Sequence, residues 1–352
     1  MNRTSQRLGT PLPFLAFLAA VGVSGLSSGC KEARSSERVQ GRGSHGAKVA
    51  LLLSTLQEER YRKDQFYFEE TAKKEGLATF TLSADNDNAR QLSQVEDALS
   101  REASVLVIQP TDSAAAGSYV AKAHAQGAKV VAYDRSIPQA DFYVAHDSYR
   151  IGVLQAEEAI KATNGKGNYV LLNGQSGHSV SSEIARGYHE TLAPYVARGA
   201  ITIAVEKNHD AWSPEQALKT VEDAISKTKG NIQAILANNS GMARGAVQGI
   251  QAGGLGDRGI FIAGADADAA NVNYVCEKKQ TIEVFKDIHP LAAEAASVAA
   301  ALLRNAPVTV SATAAGVPSA AVPVVLVNAE NVKAVLVDSG FHEASALPRC
   351  GQ

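Results

Sequence analysis

Short apolar runs alternate with amphipathic segments from residue 47 onward. The runs KVALLLS, ATFTLS and SVLVIQP are followed by stretches of helical periodicity at residues 61–74, 89–100 and 113–126. Continuous apolar runs are typical of strands covered on both faces, and their alternation with helices indicates a parallel sheet with right-handed crossovers. The first part of the chain therefore predicts a doubly wound α/β unit.

The same pattern restarts after residue 141. The runs FYVAHD, NYVLLNG and IQAILANN each precede another helical stretch. We therefore predict two doubly wound, parallel-sheet α/β lobes, joined by several short crossovers that form a hinge. The predicted boundaries are 47–147 and 283–308 for the N-terminal lobe, 148–282 and 309–345 for the C-terminal lobe, and 346–352 for a C-terminal tail.

The first thirty residues differ from the rest of the chain. Arg3 and Arg7 precede an apolar stretch at residues 11–26, and small residues lead to Cys30. This order predicts a signal peptide with a lipobox-like end, and the apolar stretch is short for a membrane span. We expect an exported, periplasmic protein whose only membrane contact is a lipid on Cys30, with a plain secreted protein as the alternative. The polar, Gly- and Ser-rich residues 31–46 predict a flexible linker.

Composition narrows the classes of function. The chain has 352 residues, is 45% hydrophobic and 20% charged, and carries a net charge of -2, which fits a globular protein and argues against nucleic acid as a partner. A dinucleotide-binding glycine motif, a phosphate-binding loop and a nucleophile elbow are all missing from the sequence. The histidines lack metal-ligand spacing, so we predict neither a cofactor nor a metal. Cys276 and Cys350 remain for a disulfide in an oxidising compartment, and their pairing stays open.

Polar groups follow the predicted strands. In doubly wound sheets ligands bind beyond the carboxyl ends of the strands, so facing lobes would gather these groups into one cleft. Carboxylates, amides, guanidinium groups and an aromatic ring together suit the hydroxyls and the C–H face of a sugar. The candidates are Arg60, Tyr61, Asp134, Arg135, Trp212 and Lys286. Alternatives are a solvated helix face for Arg60, a hydrophobic staple for Trp212, a surface ion pair for Lys286, and a structural pair of Asp134 with Arg135.

Several motifs carry a specific resemblance. ERYRKD, VLVIQP, VVAYDRSI, DFYVAHDSYRIGVLQA, AWSPEQAL, GADAD and GFHEAS lie between residues 47 and 343. The chain resembles the periplasmic sugar-binding proteins of ABC transporters, type I in fold, and within them the D-xylose-binding members most closely. The resemblance implies two lobes that close on a sugar. It also implies sugar contacts for Arg60, Asp134, Arg135, Trp212, Asn239, Asp266 and Lys286, of which Trp212 stacks on the ring.

One segment departs from the family pattern. Where the xylose-binding members have an acidic residue and then an amide that reach the ligand, this chain has His178 and Val180. An imidazole still makes one hydrogen bond, and we keep His178 as a candidate ligand contact, whereas Val180 makes none. Ser54 and Thr55 also replace an acidic pair. Losing polar groups in such a site changes ligand choice, so a related aldose, a hexose included, stays open beside D-xylose.

Four functions compete. The leading hypothesis is a monomeric binding protein that delivers a monosaccharide to an ABC permease. The alternative is a sugar-sensing module that presents its closed form to a chemoreceptor or histidine kinase, which would be a separate protein. A repressor would need a helix-turn-helix where the export signal lies. A glycosidase would need a general acid, but Arg135 and Lys286 would keep Asp134 and Asp266 ionised, so we predict that the chain is not an enzyme.

Overall fold

The structure is a computed structural model that describes residues 48–314 and 316–350. The predicted signal peptide, Cys30 and the predicted linker lie outside the described residues. Within the described ranges, no helix is long and apolar enough to cross a membrane.

The strands follow the predicted apolar runs closely. They are β1 (Lys48–Leu53), β2 (Ala78–Ser83), β3 (Ala103–Ile108), β4 (Lys129–Tyr133), β5 (Phe142–His146), β6 (Gly167–Asn173), β7 (Ile201–Asn208), β8 (Ala234–Ala237), β9 (Phe261–Ala265), β10 (Ile282–Lys286), β11 (Ala312–Ala314), β12 (Val317–Val322) and β13 (Val324–Val327). Most of the central strand residues are buried, as continuous apolar runs predict.

The helices lie between the strands. They are α1 (Glu59–Lys74), α2 (Asn88–Ser100), α3 (Gly117–Ala125), α4 (Ser148–Ala162), α5 (Ser179–Ala197), α6 (Pro214–Thr228), α7 (Ser240–Ala252), α8 (Ala269–Cys276) and α9 (Ile288–Leu303). Ser213 caps α6 by accepting a hydrogen bond from the backbone N–H of Gln216, and Pro214 occupies the first helical position, where a missing N–H costs nothing.

Two sheets organise the described residues. The first has the strand order β11-β12-β5-β4-β3-β1-β2 and the second has the order β13-β10-β9-β8-β6-β7. All pairings between β1 and β5, and between β6 and β10, are parallel. Antiparallel pairing occurs at the edges, where β11 joins β12 and β13 joins β10. The predicted two-lobe α/β fold is confirmed, with antiparallel edge strands that the apolar pattern did not predict.

The lobe boundaries differ from the prediction at two places. Residues 283–286 were predicted in the N-terminal lobe, but β10 pairs with β9 in the second sheet. Residues 312–322 were predicted in the C-terminal lobe, but β12 pairs with β5 in the first sheet, with Ser319 opposite Tyr143. The chain therefore changes lobes one strand later than predicted at the first place (β10) and two strands later at the second (β11 and β12). The hydrophobic pattern shows that a strand exists and not which sheet accepts it.

Three crossovers join the lobes. We call residues 48–147, 287–314 and 316–322 the first lobe, and residues 148–286 and 323–350 the second lobe. The crossovers lie side by side: His146 Nε2 lies 3.0 Å from the carbonyl oxygen of Asp287, and the backbone N–H of Asp147 donates to the carbonyl oxygen of Val322 at 3.3 Å. These contacts hold the three crossovers side by side at one edge of the interlobe cleft.

The end of the described chain is part of the second lobe. Residues 346–352 were predicted as a tail, but Leu347 is buried in an apolar cluster with Phe285 and Leu336. A disulfide joins Cys276, the last residue of α8, to Cys350, with a Cα–Cα distance of 5.2 Å. The segment up to Cys350 is thus fixed on the lobe, while residues 351–352 lie outside the described ranges.

Candidate ligand-binding site between the lobes

A cavity lies between the carboxyl ends of the two sheets. It encloses about 320 Å³, a volume that includes solvent at its open mouth. Its lining consists of Glu58, Arg60, Tyr61, Asp134, Arg135, Val180, Trp212, Asn239, Asp266 and Lys286. The structure therefore brings together eight of the nine predicted ligand contacts, all except His178, from loops far apart in sequence.

Arg60 lies at the centre of the charged groups. Its Nη2 is 3.2 Å from Asp134 Oδ1, its Nε is 3.2 Å from Asp64 Oδ2, and its Nη1 faces Asp266 Oδ1 at 3.8 Å. Lys286 Nζ, at the end of β10, lies 2.5 Å from the same Asp266 oxygen. Arg60 belongs to the first lobe and Asp266 to the second, so this network spans the cleft. The predicted alternative of a solvated face does not fit Arg60, which is 5% exposed.

Asp134 is held in its ionised form. Burial alone would raise its pKa, but the guanidinium of Arg60, followed by Lys286 and Arg135, outweighs burial and keeps the pKa of Asp134 well below its usual range. Gln109 Nε2 also donates to Asp134 Oδ2 at 3.0 Å. An acid ionised this firmly cannot donate a proton at neutral pH, which agrees with the prediction that Asp134 is not a general acid.

Arg135, which follows Asp134 at the end of β4, contacts a different set of groups. Its Nη1 donates to the carbonyl oxygen of Pro110 at 2.8 Å, and its Nη2 donates to the hydroxyl of Tyr61 at 3.2 Å. Burial raises the pKa of Tyr61, so its phenol stays neutral. Asp134 and Arg135 therefore do not pair with each other, and each presents a polar group to the cavity.

Three cavity residues have left-handed backbone conformations. The φ angle is 61° at Asp134, 106° at Asp266 and 56° at Trp212. Residues other than glycine rarely adopt such φ angles. Each residue that does so costs on the order of 1–3 kcal/mol in backbone strain. The rest of the fold compensates for this strain. The unusual backbone conformation directs the side chains at these three positions into the cleft.

Trp212 forms one apolar wall of the cavity, beside Val180. It precedes α6 and is 8% exposed. Gly174, after β6, permits this position, because a Cβ at residue 174 would lie 2.4 Å from the indole ring. The predicted alternative was that Trp212 acts only as a hydrophobic staple on α6. That role would not require the indole to approach Gly174 at the end of β6 so closely.

His178 contacts Trp212 and is not among the residues that line the cavity, so its direct contact with the ligand remains a prediction. Its Nδ1 accepts a hydrogen bond from Trp212 Nε1 at 2.8 Å, and its Nε2 lies 2.6 Å from the carbonyl oxygen of Thr111 in the first lobe. This pattern requires the tautomer with the proton on Nε2. Burial, followed by the charge of Arg135, lowers the pKa of His178 to about 3, so the ring is neutral. His178 thus orients the indole and joins the lobes.

Sequence reasoning missed two residues that matter for the site. Glu58 lines the cavity, but the acid-rich segment QEER gave no signal as to which acid turns inward. Glu283, fully buried on β10, accepts hydrogen bonds from the backbone N–H of Ala267 at 3.1 Å and from Ser240 Oγ at 2.8 Å. It thereby holds the loop that carries Asp266. Its position inside an apolar strand was the available signal.

Clusters of three or more metal-ligating side chains do not occur in the part of the chain that the structure describes. The cavity is instead lined by alternating acids and bases, an amide and an aromatic ring, between lobes linked by three strands. This combination defines a two-lobe solute-binding protein whose ligand is small and polar.

Comparison with known proteins identifies the family. Residues 49–307 match the family model described as a periplasmic binding protein domain, and the chain belongs to this family. It is 33% identical over 306 residues to the D-xylose-binding periplasmic protein of Haemophilus influenzae, covering 85% of this chain and 92% of that protein. It is 27% identical over 324 residues to the multiple sugar-binding periplasmic receptor ChvE of Rhizobium radiobacter, covering 85% of this chain and 92% of that protein.

A solved structure shows the same fold. The carbohydrate transporter solute-binding protein of Chloroflexus aurantiacus, solved in complex with D-glucose, superimposes with a TM-score of 0.78 at 28% identity, covering 85% of this chain and 97% of that protein. The resemblance predicted from the sequence motifs is confirmed. The similar proteins are binding proteins by name, in agreement with the prediction that this chain is not an enzyme.

Proposed function

We propose that this protein binds a neutral monosaccharide, D-xylose or a related aldose, in the interlobe cavity and delivers it to an ABC importer. The observation that carries the proposal is the balance of charge in the lining. Three acidic side chains, Glu58, Asp134 and Asp266, face three basic ones, Arg60, Arg135 and Lys286. A lining with equal numbers of acidic and basic side chains favours an uncharged ligand, and its mixture of charged donors and acceptors suits hydroxyl groups that both donate and accept.

The apolar part of the lining supports a sugar over a more polar solute. The indole of Trp212 offers a flat face to the C–H groups of a pyranose ring, and Val180 adds a second apolar contact. The relatives bind different sugars by name, D-xylose in one and multiple sugars in another. D-xylose is therefore the first ligand to test, with hexoses beside it.

Closure of the lobes would complete the site. Ser136 N–H donates to Ser179 Oγ across the cleft at 2.8 Å, and Arg60 faces Asp266 from the opposite lobe. Both contacts would be lost if the lobes rotated apart at the crossovers, so the structure corresponds to the closed form that an ABC permease would recognise.

Calorimetry on the purified protein, freed of endogenous sugar, tests the proposal. D-xylose, D-glucose, D-galactose, D-ribose and L-arabinose form the panel, and D-glucuronate serves as the charged control. We expect one-to-one binding of one or two neutral aldoses and no measurable binding of the uronate. Tight binding of the uronate, or no binding of any neutral aldose, would contradict the proposal.

A sensing role is the second candidate, because one relative is itself called a receptor. The same closed lobes would then contact a chemoreceptor or a histidine kinase. Deleting the gene from its host distinguishes the roles: loss of uptake of radiolabelled sugar supports delivery to a permease, whereas intact uptake with loss of sugar-induced transcription or chemotaxis supports sensing.

The proposed export and lipidation rest on the sequence alone. If Cys30 carries the lipid, radiolabelled palmitate would be incorporated into the protein in cells, and C30S would abolish the label. Release of the unmodified protein with the soluble periplasmic fraction would contradict anchoring and leave export intact.

A further inference from the structure

The lobes also meet outside the cavity, along α1. Lys63 Nζ donates to the carbonyl oxygen of Phe341 at 3.1 Å and lies 3.8 Å from the centroid of the Phe341 ring. Lys63 belongs to the first lobe and Phe341 to the second. Lys63 follows Arg60 by three residues, so the two side chains leave the same side of α1. Since neither Lys63 nor Phe341 lines the cavity, this contact joins the lobes without touching the ligand.

Phe341 is fixed on the second lobe. Its ring packs against Phe285 of β10, with the ring centroids 4.6 Å apart. Farther along the segment, Leu347 is buried, and the disulfide ties Cys350 to the end of α8. The segment therefore moves with the second lobe. Lys63 moves with the first lobe, so the contact between Lys63 and Phe341 is lost when the lobes rotate apart at the crossovers.

His342 connects this contact to the cavity. Its Nε2 lies 2.7 Å from the carbonyl oxygen of Ala267, and because a carbonyl oxygen only accepts, Nε2 carries the proton. Ala267 directly follows Asp266 and has a φ angle of 58°, an uncommon conformation that neighbouring groups must support. Phe341 and His342 are consecutive, so one short segment both receives the first lobe and holds the loop that carries Asp266.

We propose that Lys63, Phe341 and His342 form a latch that stabilises the closed form from outside the cavity and couples closure to the position of Asp266. The proposal rests on the proposed function and extends it to the equilibrium between the open and closed forms. A sugar that binds only the closed form gains affinity from every contact that exists only there. The latch therefore contributes to sugar affinity although none of its side chains lines the cavity.

The sugar affinity and the sugar release rate of K63M test the latch. Methionine keeps an unbranched apolar side chain beside the Phe341 ring but removes the ammonium group. A cation over an aromatic ring is worth a factor of about 2–30 in affinity, so we expect K63M to bind the preferred sugar about 10-fold more weakly. Stopped-flow fluorescence of Trp212 should show that dissociation is faster by this factor and that association is unchanged, since the lost contacts exist only in the closed form.

Three further variants control this measurement. R62M removes the same charge from the neighbouring, exposed residue of α1 and leaves sugar affinity unchanged. K63R restores a cation with hydrogen-bond donors and recovers most of the affinity. F341L removes the ring and keeps an apolar contact with Phe285, so the change from Lys63 to methionine costs less affinity in F341L than in the unmodified protein.

A second cycle tests the coupling to the cavity. H342L removes the hydrogen bond to Ala267 and loosens the segment that Lys63 contacts. The combined loss of affinity in the double variant K63M/H342L is therefore smaller than the product of the two single losses. If H342L does not fold, H342F, which keeps a ring, carries the same cycle. Single losses that multiply without interaction would refute the coupling.

The outcomes separate the latch from the proposed function. If the unmodified protein binds a sugar and K63M binds it within twofold, or releases it at the same rate, the latch does not stabilise the closed form. If the unmodified protein binds none of the neutral aldoses of the panel, the proposed function fails. Small-angle scattering then tests the latch alone: the latch predicts that K63M is more open than the unmodified protein, and identical scattering refutes it.

Discussion

The hydrogen bond between His178 and Thr111 is the sharpest test of how the lobes close. His178 lies at the start of α5 in the second lobe, and Thr111 follows β3 in the first. The His178 Nε2–H group donates to the Thr111 carbonyl oxygen at 2.6 Å, in a region from which both lobes exclude water. The bond can exist only in the closed form, so it contributes to closure directly.

H178F removes this bond and keeps a ring of similar size. The bond between His178 and Trp212 lies within one lobe, so its loss does not itself shift the equilibrium between the open and closed forms, and a reoriented Trp212 indole would only weaken sugar binding further. The loss specific to the closed form is one buried carbonyl left without a donor, about 1–3 kcal/mol. If the sugar binds only the closed form, its affinity falls by about 5- to 150-fold.

Titration calorimetry with the preferred sugar measures this effect, and small-angle scattering reports the opening of the free protein. H189F is the matched control, since His189 lies on the same helix, is half-exposed and contacts Glu206 of its own lobe. Sugar affinity of H178F within twofold of the unmodified protein would refute the argument that this bond favours closure.

The same residue predicts a pH dependence. His178 has a pKa of about 3 in the closed form, while a solvated histidine has a pKa near 6.5. At pH values between these two pKa values the open form therefore binds more protons than the closed form. Sugar affinity reaches its maximum above pH 6.5 and is lost as the pH falls. The two pKa values give an affinity at pH 5 that is lower than at pH 7.5 by at most about 30-fold. H178F flattens this profile, and an unmodified protein with equal affinity at both pH values contradicts the assignment.

Further predictions concern the cavity and the fold. D134N keeps the left-handed backbone but removes a buried charge. It lowers the free energy of unfolding, measured by urea denaturation, by about 3–5 kcal/mol and weakens sugar binding. Unchanged stability would show that the charge of Asp134 is dispensable. G174A displaces the indole of Trp212, the only tryptophan in the sequence. It therefore alters the change in tryptophan fluorescence on sugar binding and weakens sugar affinity. An unchanged spectrum and an unchanged affinity would contradict the close approach of Gly174 to the indole. Replacing Cys276 and Cys350 by serine opens a loop of 74 residues and lowers the free energy of unfolding by about 4 kcal/mol, as would reduction; denaturation curves insensitive to reductant would contradict a stabilising disulfide.

Local chemistry explains why much of the site was visible in the sequence. Polar residues that directly follow buried strands, such as Asp134, Asp266 and Lys286, lie at the carboxyl edge of a sheet whatever the details of packing. Their meeting in one cavity followed from the prediction of two facing lobes. Their role as sugar contacts remains a prediction that the proposed titrations test.

Other features depended on distances that no local pattern encodes. His178 aligned with a ligand-contacting position, yet the approach of Thr111 from the other lobe places it behind Trp212. Glu58 lies in a segment rich in acids, and only the path of the chain into α1 turns its carboxyl group inward. The pairing of Cys276 with Cys350 was open until the end of the chain was placed against α8.

The sequence by itself determined the succession of strands and helices, the two-lobe α/β class and the polar strand ends. The reason is that strands buried on both faces of a sheet require continuous apolar runs, which are visible in the sequence. Tertiary structure alone decided which sheet accepts residues 282–286 and 312–322, and which oxygens of the inward-facing acids, Glu58 Oε2 and Asp266 Oδ1, accept no hydrogen bond among the described residues. Sheet assignment and hydrogen-bond satisfaction depend on contacts between segments far apart in the chain, and these contacts exist only once the lobes have packed and closed.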